Sequence, residues 1–329
     1  MPDKTVYSWP HIAISAIGGL AAAVVFAAVA RGGFGGLLLG HLAPLPLMIV
    51  AIGFGLGHGV TAAILAVAIL SIWLHPMVGM GYALVVAIPA WLGSWAACGA
   101  PINRRDRITG HLPGWAALAP AATLIFVCAT WLLINTYISG NFDEAMSFIR
   151  GKLFLMIDAA VKAQPEDQRA GLDPDKLSGL VAFALPGFFA AYYTMIHFAN
   201  LWIAGRLAQA SALLKRPWPD IALEFYLPRA VVPLFGIGVG LAFVGGLAHA
   251  VGLVIAAPLG LLLACQGLAV VHDMVREMRS GVVVLGILYF VLGLLGFPML
   301  PLAVLGSADV FFDYRARRKA KKDVQPTNP

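Results

Sequence analysis

Uncharged apolar runs close to twenty residues long recur along this chain from Ile12 to Val304, with short breaks between them. A helix rising about 1.5 Å per residue needs about twenty residues to cross a hydrocarbon core of roughly 30 Å. Backbone polar groups in lipid must be satisfied within the segment, so such runs dictate helices. With 60% apolar and 12% charged residues, the chain has too little polar surface to cover a water-soluble fold of this size. The fold class is all-α: a polytopic transmembrane helical bundle of about eight to ten spans with an outer amphipathic helix.

The apolar blocks fall at 12–30, 41–57, 59–74, 77–98, 114–133, 180–203, 230–248, 252–272 and 281–305. Lys4, the first block and Ala28-Val29-Ala30 imitate a signal peptide. The block is long enough to span and others follow, so it reads as an uncleaved first helix. Gly32 to Gly40 is too rich in glycine for a helix and reads as a loop or re-entrant turn.

Charge sets the expected topology. The net charge is +6, but the basic residues sit in short clusters beside apolar runs: Arg104, Arg105 and Arg107; Arg206, Lys215 and Arg216; Arg315 to Lys322. That distribution follows the positive-inside rule and argues against nucleic acid as a partner. It places both termini in the cytoplasm of a bacterial inner-membrane protein. Residues 1–315 form one integral membrane domain, 134–179 an extracytoplasmic loop, and 316–329 a basic cytoplasmic tail. An odd number of spans would leave the tail outside. Gly296-Phe297-Pro298 interrupts the last block, and a break there returns the tail to the cytoplasm.

Two stretches outside the blocks read as ordered. Apolar residues at 142, 146, 149, 153, 156, 157 and 160 keep the helical period, which predicts an amphipathic helix over 142–161. Trp218 to Pro228 reads as interfacial, with Trp218, Phe225 and Tyr226 at headgroup depth. Cys98, Cys128 and Cys265 are far apart and lie in apolar runs. They read as small buried hydrophobes, and neither a metal site nor a cofactor is expected.

Polar side chains within spans are the functional candidates, because hydrocarbon offers them no partner. Tyr193, His197 and Asn200, spaced i, i+4, i+7, share one helix face. They read either as hydrogen-bond links between helices or as the wall of a small-solute site, which a neighbouring helix carrying Gln266 would complete. His197 also brings a titratable group. His58 lies among Gly53, Gly55, Gly57 and Gly59, which form two overlapping G-x-x-x-G patterns. These favour close helix packing or a flexible break beside a substrate. Asp309 and Asp313, followed by Arg315, suit ion pairs that fix the end of the last helix. No hydrolase, zincin or nucleotide-binding pattern is present, so a catalytic role is not expected.

Gln266-Gly267-Leu268-Ala269-Val270-Val271, Leu305-Gly306-Ser307-Ala308-Asp309 with Asp313 and Arg315, and Phe225-Tyr226-Leu227-Pro228 carry a resemblance. Over residues 40–315 the chain resembles the YybS-like family of bacterial membrane proteins of unknown function. That family is distantly similar to the substrate-binding S subunits of energy-coupling-factor vitamin transporters, and the resemblance implies small-molecule binding. S subunits dock on a membrane partner through alanines of their first helix, which the resemblance maps to Ala23 and Ala27. The chain departs from the six-span S subunit in its extra C-terminal spans and long outer segment.

The expected role is therefore binding or transport of an unidentified small solute, through a partner membrane protein or an ion gradient. A membrane scaffold or assembly factor is the rival, and a lipid-modifying membrane enzyme comes third.

Overall fold

The computed structural model describes residues 9–98, 112–169, 171–214 and 217–324. Lys4, Arg104, Arg105, Arg107, Lys215 and Arg216 lie outside the described residues. Every regular element among those described is helical. Among the described residues, seven helical segments are long and apolar enough to cross a membrane: 12–30, 33–54, 56–73, 76–98, 114–139, 174–210 and 246–275. Three shorter apolar helices follow the same composition, Val231–Leu241, Gly281–Leu295 and Met299–Phe312.

We number the helices α1 Trp9–Ala27, α2 Gly33–Gly40, α3 Pro44–Phe54, α4 Leu56–Trp73, α5 Pro76–Cys98, α6 Leu112–Ser139, α7 Phe142–Lys162, α8 Pro174–Ala210, α9 Val231–Leu241, α10 Gly246–Val275, α11 Gly281–Leu295, α12 Met299–Phe312 and α13 Tyr314–Val324. By contacts the chain divides into two compact units. One comprises Met1–Leu124, Tyr193–Arg229 and Leu261–Pro329; the other comprises Ile125–Tyr192 and Ala230–Gly260.

In the first unit, α1 packs on α4 through small residues. Ala22, Ala23 and Ala27 meet Ala62, Ala66 and Leu70 in one buried cluster. This corrects the docking expectation: Ala23 is 0% and Ala27 9% exposed, so the alanines that would face a partner face α1's own neighbours. The Gly32–Gly40 stretch is also corrected. It forms α2, an eight-residue helix with no buried side chain, entered through positive-φ Gly32 and Gly33.

The Gly53–Gly59 stretch lies on two helices. Gly55 has φ 118, a conformation open to glycine, and separates α3 from α4. Gly53 then packs against Leu213 and Gly59 against Ala51, so the G-x-x-x-G spacing never lies along one continuous helix face. His58 is half-buried in the first turn of α4.

The last apolar block breaks where proline and glycine require it. Gly296 caps α11 in the left-handed conformation, and α12 begins after Pro298. α12 packs backbone-to-backbone against α10. A Cβ on Gly267 would overlap the Leu302 carbonyl oxygen, and one on Gly306 would overlap that of Leu263.

In the second unit, α7 begins at Asn141, whose side-chain oxygen accepts the Glu144 N–H at 2.8 Å. The helix buries Phe142 and Met146 and leaves Phe148, Leu155 and Met156 exposed. Phe142 packs against Phe183 of α8, and Arg150 pairs with Asp175 at 2.7 Å. The 230–248 block, expected as a full span, is corrected to the 11-residue α9. At about 1.5 Å per residue it rises only about 16 Å. It ends in a turn at positive-φ Gly245 and Gly246, and Gly238 with Gly252 lets it lie close on α10.

Candidate functional site

Two polar clusters are built in the first unit, and they divide Tyr193, His197, Asn200 and Gln266 between them, leaving His58 outside both. The first forms on α8. His197 is fully buried, with Nδ1 at 2.7 Å from the Tyr193 carbonyl and Nε2 at 3.3 Å from the Val86 carbonyl of α5. Val86 lies in a π-helical turn, Ala83–Ala87, inside α5. Such a turn shifts the hydrogen-bond register and is often found at functional sites. A neutral imidazole has a single N–H and donates to one carbonyl, while the imidazolium donates to two. In the neutral form one of the two carbonyls therefore receives no N–H from the ring.

Asn200 lies one turn further along α8. Its Nδ2 donates to the His41 carbonyl, in the turn between α2 and α3, and to the Ile196 carbonyl, both at 2.8 Å. Its Oδ1 is buried and has no hydrogen-bond partner. Tyr82, one turn before Val86, is 1% exposed, stacks edge-on against Phe26 at 4.9 Å, and likewise keeps an unpartnered buried hydroxyl. Tyr193 is half-buried, and its main-chain carbonyl receives His197.

The second cluster gathers Gln266, Asp309 and Arg315. Gln266 is fully buried on α10; its Oε1 accepts the Leu227 N–H at 2.8 Å and its Nε2 donates to Asp309 Oδ2 at 2.9 Å. The bonds of Gln266 thus lead into a different set of groups from those around His197 and Asn200. The close approach of α10 and α12 at Gly267 and Gly306 brings Gln266 and Asp309 within reach.

Asp309 also accepts the Arg315 guanidinium, from NH2 at 2.9 Å and Nε at 3.1 Å. The remaining guanidinium donors go to the carbonyls of Ala222 and Phe225. The cation lies 4.0 Å from the ring centre of Tyr226. Burial pushes the Tyr226 phenol up, with the Arg315 charge acting in the other direction. Asp313, with φ 50, turns the chain between α12 and α13 and stands 3.7 Å from Arg229.

Further ion pairs join the elements that carry this cluster. Arg318 reaches Glu277 at 3.2 Å and Asp273 at 3.8 Å, and Arg276 binds Asp220 at 2.9 Å. The Trp218–Pro228 segment, expected to be interfacial with Trp218, Phe225 and Tyr226 at headgroup depth, buries Phe225 and Leu227, and the Trp218 ring packs on Gly205. Sequence reasoning missed Tyr82, an aromatic residue with no signal inside an apolar run, and missed the Asp220–Arg276 pair, which is 56 positions apart.

The model of the family described as "Predicted membrane protein (DUF2232)" matches residues 20–310. The chain belongs to this family. No curated protein and no solved structure matches it. The matched region includes α2 through α11, nearly all of α12, and both polar clusters except Arg315 and Asp313. A membrane protein of this family sits in a lipid bilayer.

Proposed function

We propose that this family member binds a small uncharged solute beside the His197–Asn200 face of α8, without transforming it chemically. The observation that carries the reading is Asn200 Oδ1, a strong acceptor buried in an apolar span without a protein donor. Leaving such a group unsatisfied costs about 1–3 kcal/mol, and a ligand donor would remove that penalty. The groups around it are carbonyls, an amide and an imidazole, which suits a ligand with a few hydrogen-bonding groups and an apolar body. The likeness to the YybS-like family and, through it, to energy-coupling-factor S subunits supports solute binding; docking through Ala23 and Ala27 is not part of the proposal. We place the protein in a bacterial inner membrane with both termini cytoplasmic. Any transport would draw on a partner or an ion gradient.

One observation favours a scaffold instead: the Gln266 amide and the Asp309 and Arg315 side chains bond within the protein. Native mass spectrometry of the purified protein separates the two readings. A retained small molecule that is lost in Asn200→Leu supports binding at α8. A wild-type protein that carries none, and takes up none from a cell extract, favours the scaffold.

A further inference from the structure

α13 is a basic helix whose position is set by buried contacts, and its surroundings point to a partner. Its sequence, Tyr314–Val324, holds six basic residues and one acidic residue. Two of the six are taken up by the protein. Arg315 is bound by Asp309 and two main-chain carbonyls, and Arg318 by Glu277 and Asp273. Arg317 lies about 200° around the helix from Arg315, at 100° per residue, and is exposed. The inner face of α13 is thus neutralised by carboxylates of the protein, while the helix as a whole keeps a surplus of positive charge.

The helix also starts at a defined depth. α12 before it is apolar, with Leu300 73% and Val304 69% exposed, as a lipid-facing helix requires. It ends in Phe311 and Phe312, and Tyr314 opens α13; all three are exposed. Exposed aromatic residues at the end of an apolar helix mark the membrane–water interface. At that point Asp313, in the left-handed conformation, turns the chain, and the Arg315–Asp309 pair fixes the direction in which α13 leaves α12. A basic helix held where an apolar helix ends lies at the level of lipid headgroups.

We propose that α13 is a binding surface for anionic phospholipid headgroups, engaged through Arg317 and the lysines that follow it in sequence, while Arg315 and Arg318 anchor the helix to the bundle. The charge is complementary to an anionic leaflet, which attracts basic residues held near its surface. This division of labour separates anchoring residues from lipid-binding residues only two positions away.

Native mass spectrometry of the full chain in neutral detergent, titrated with phosphatidylglycerol or phosphatidylcholine, tests the proposal. Wild type should retain phosphatidylglycerol at least fivefold over phosphatidylcholine. The triple variant R317Q/K321Q/K322Q should lose that preference while keeping the wild-type melting temperature. A wild type without preference overturns the proposal, as does a triple variant that keeps it. Tighter retention of RNA than of phosphatidylglycerol by the same helix would assign the charge to a nucleic-acid partner and overturn it as well. Raised salt should weaken the wild-type preference by shortening the range of the interaction; a salt-independent preference counts against it.

Discussion

Asp309 and Arg315 form an ion pair at 2.9 Å with side chains 0% and 2% exposed, across a left-handed turn at Asp313. Six positions apart, they hold α12 and α13 together and pin the Ala222–Phe225 segment through the remaining guanidinium donors. Taking two charges out of water is unfavourable, so the pair depends on complete hydrogen bonding, which Gln266 and the carbonyls supply.

Removing one partner should therefore be far worse than removing both. Arg315→Met leaves Asp309 buried with only the Gln266 amide and the Arg315 main chain, and the expected loss is about 3–5 kcal/mol. Asp309→Leu leaves the guanidinium uncompensated, at a similar cost. The double variant should lose less than either single variant, and unfolding free energies in detergent micelles check the difference. Equal and additive losses would mean that the pair is not coupled.

The span pattern was legible because lipid leaves so few backbone solutions, and run length alone then identifies most helices. α7 was legible from its apolar period, and the break before α12 from Gly296 and Pro298. α9 was not, because the apolar run passes through Ala242–Val244 without a polar residue to mark the turn. The turn is made by the positive φ of Gly245 and Gly246, which composition does not reveal. α2 was misjudged because glycine weighs against a helix only where water competes for the backbone. In the site, the buried polar residues could be named from hydrocarbon's lack of partners, but their pairing could not. Gln266 meets Asp309 across 43 positions and His197 meets Val86 across 111, and the π-helical turn that presents Val86 has no signal in the residues that form it.

The α10–α12 contact should be intolerant of the smallest side chain. Gly306→Ala puts a methyl into the Leu263 carbonyl and Gly267→Ala one into that of Leu302. Backbone cannot yield cheaply, so the helices must separate, loosening the Gln266–Asp309 bond. Each variant should lose several kcal/mol, beyond the 1–3 typical of overpacking. Gly286→Ala on α11, where nothing stands within 4 Å of the added methyl, is the control and should melt like wild type. Thermal unfolding followed by tryptophan fluorescence reads all three.

His197 should matter through its donors. His197→Leu leaves whichever of the Tyr193 and Val86 carbonyls the ring N–H serves without that donor, for an expected loss of about 1–3 kcal/mol. His197→Gln keeps an N–H that can face Val86 and should lose less. If both variants melt alike, size at this position matters and hydrogen bonding to the π turn does not.

Asp220 supplies a pH dependence outside the spans. Burial alone would raise its pKa, but the Arg276 guanidinium and the backbone N–H groups of Ala222 and Leu223 together hold the carboxyl below its ordinary value. The folded-state pKa is then lower than the unfolded one, near about 3.9, so protonation favours the unfolded chain. The contribution is complete at neutral pH and lost as pH falls below about 4 towards the folded value. Because the pair is about half exposed, solvent screens it and the effect should be small. Melting temperatures of wild type and Asp220→Asn, compared between pH 7 and pH 3, check this. The Asn variant should be the less stable at pH 7, and the gap should narrow at pH 3. A gap that persists unchanged into acid would leave no share for the carboxylate charge, since asparagine keeps an Oδ1 that can accept the Ala222 N–H at the helix N-cap.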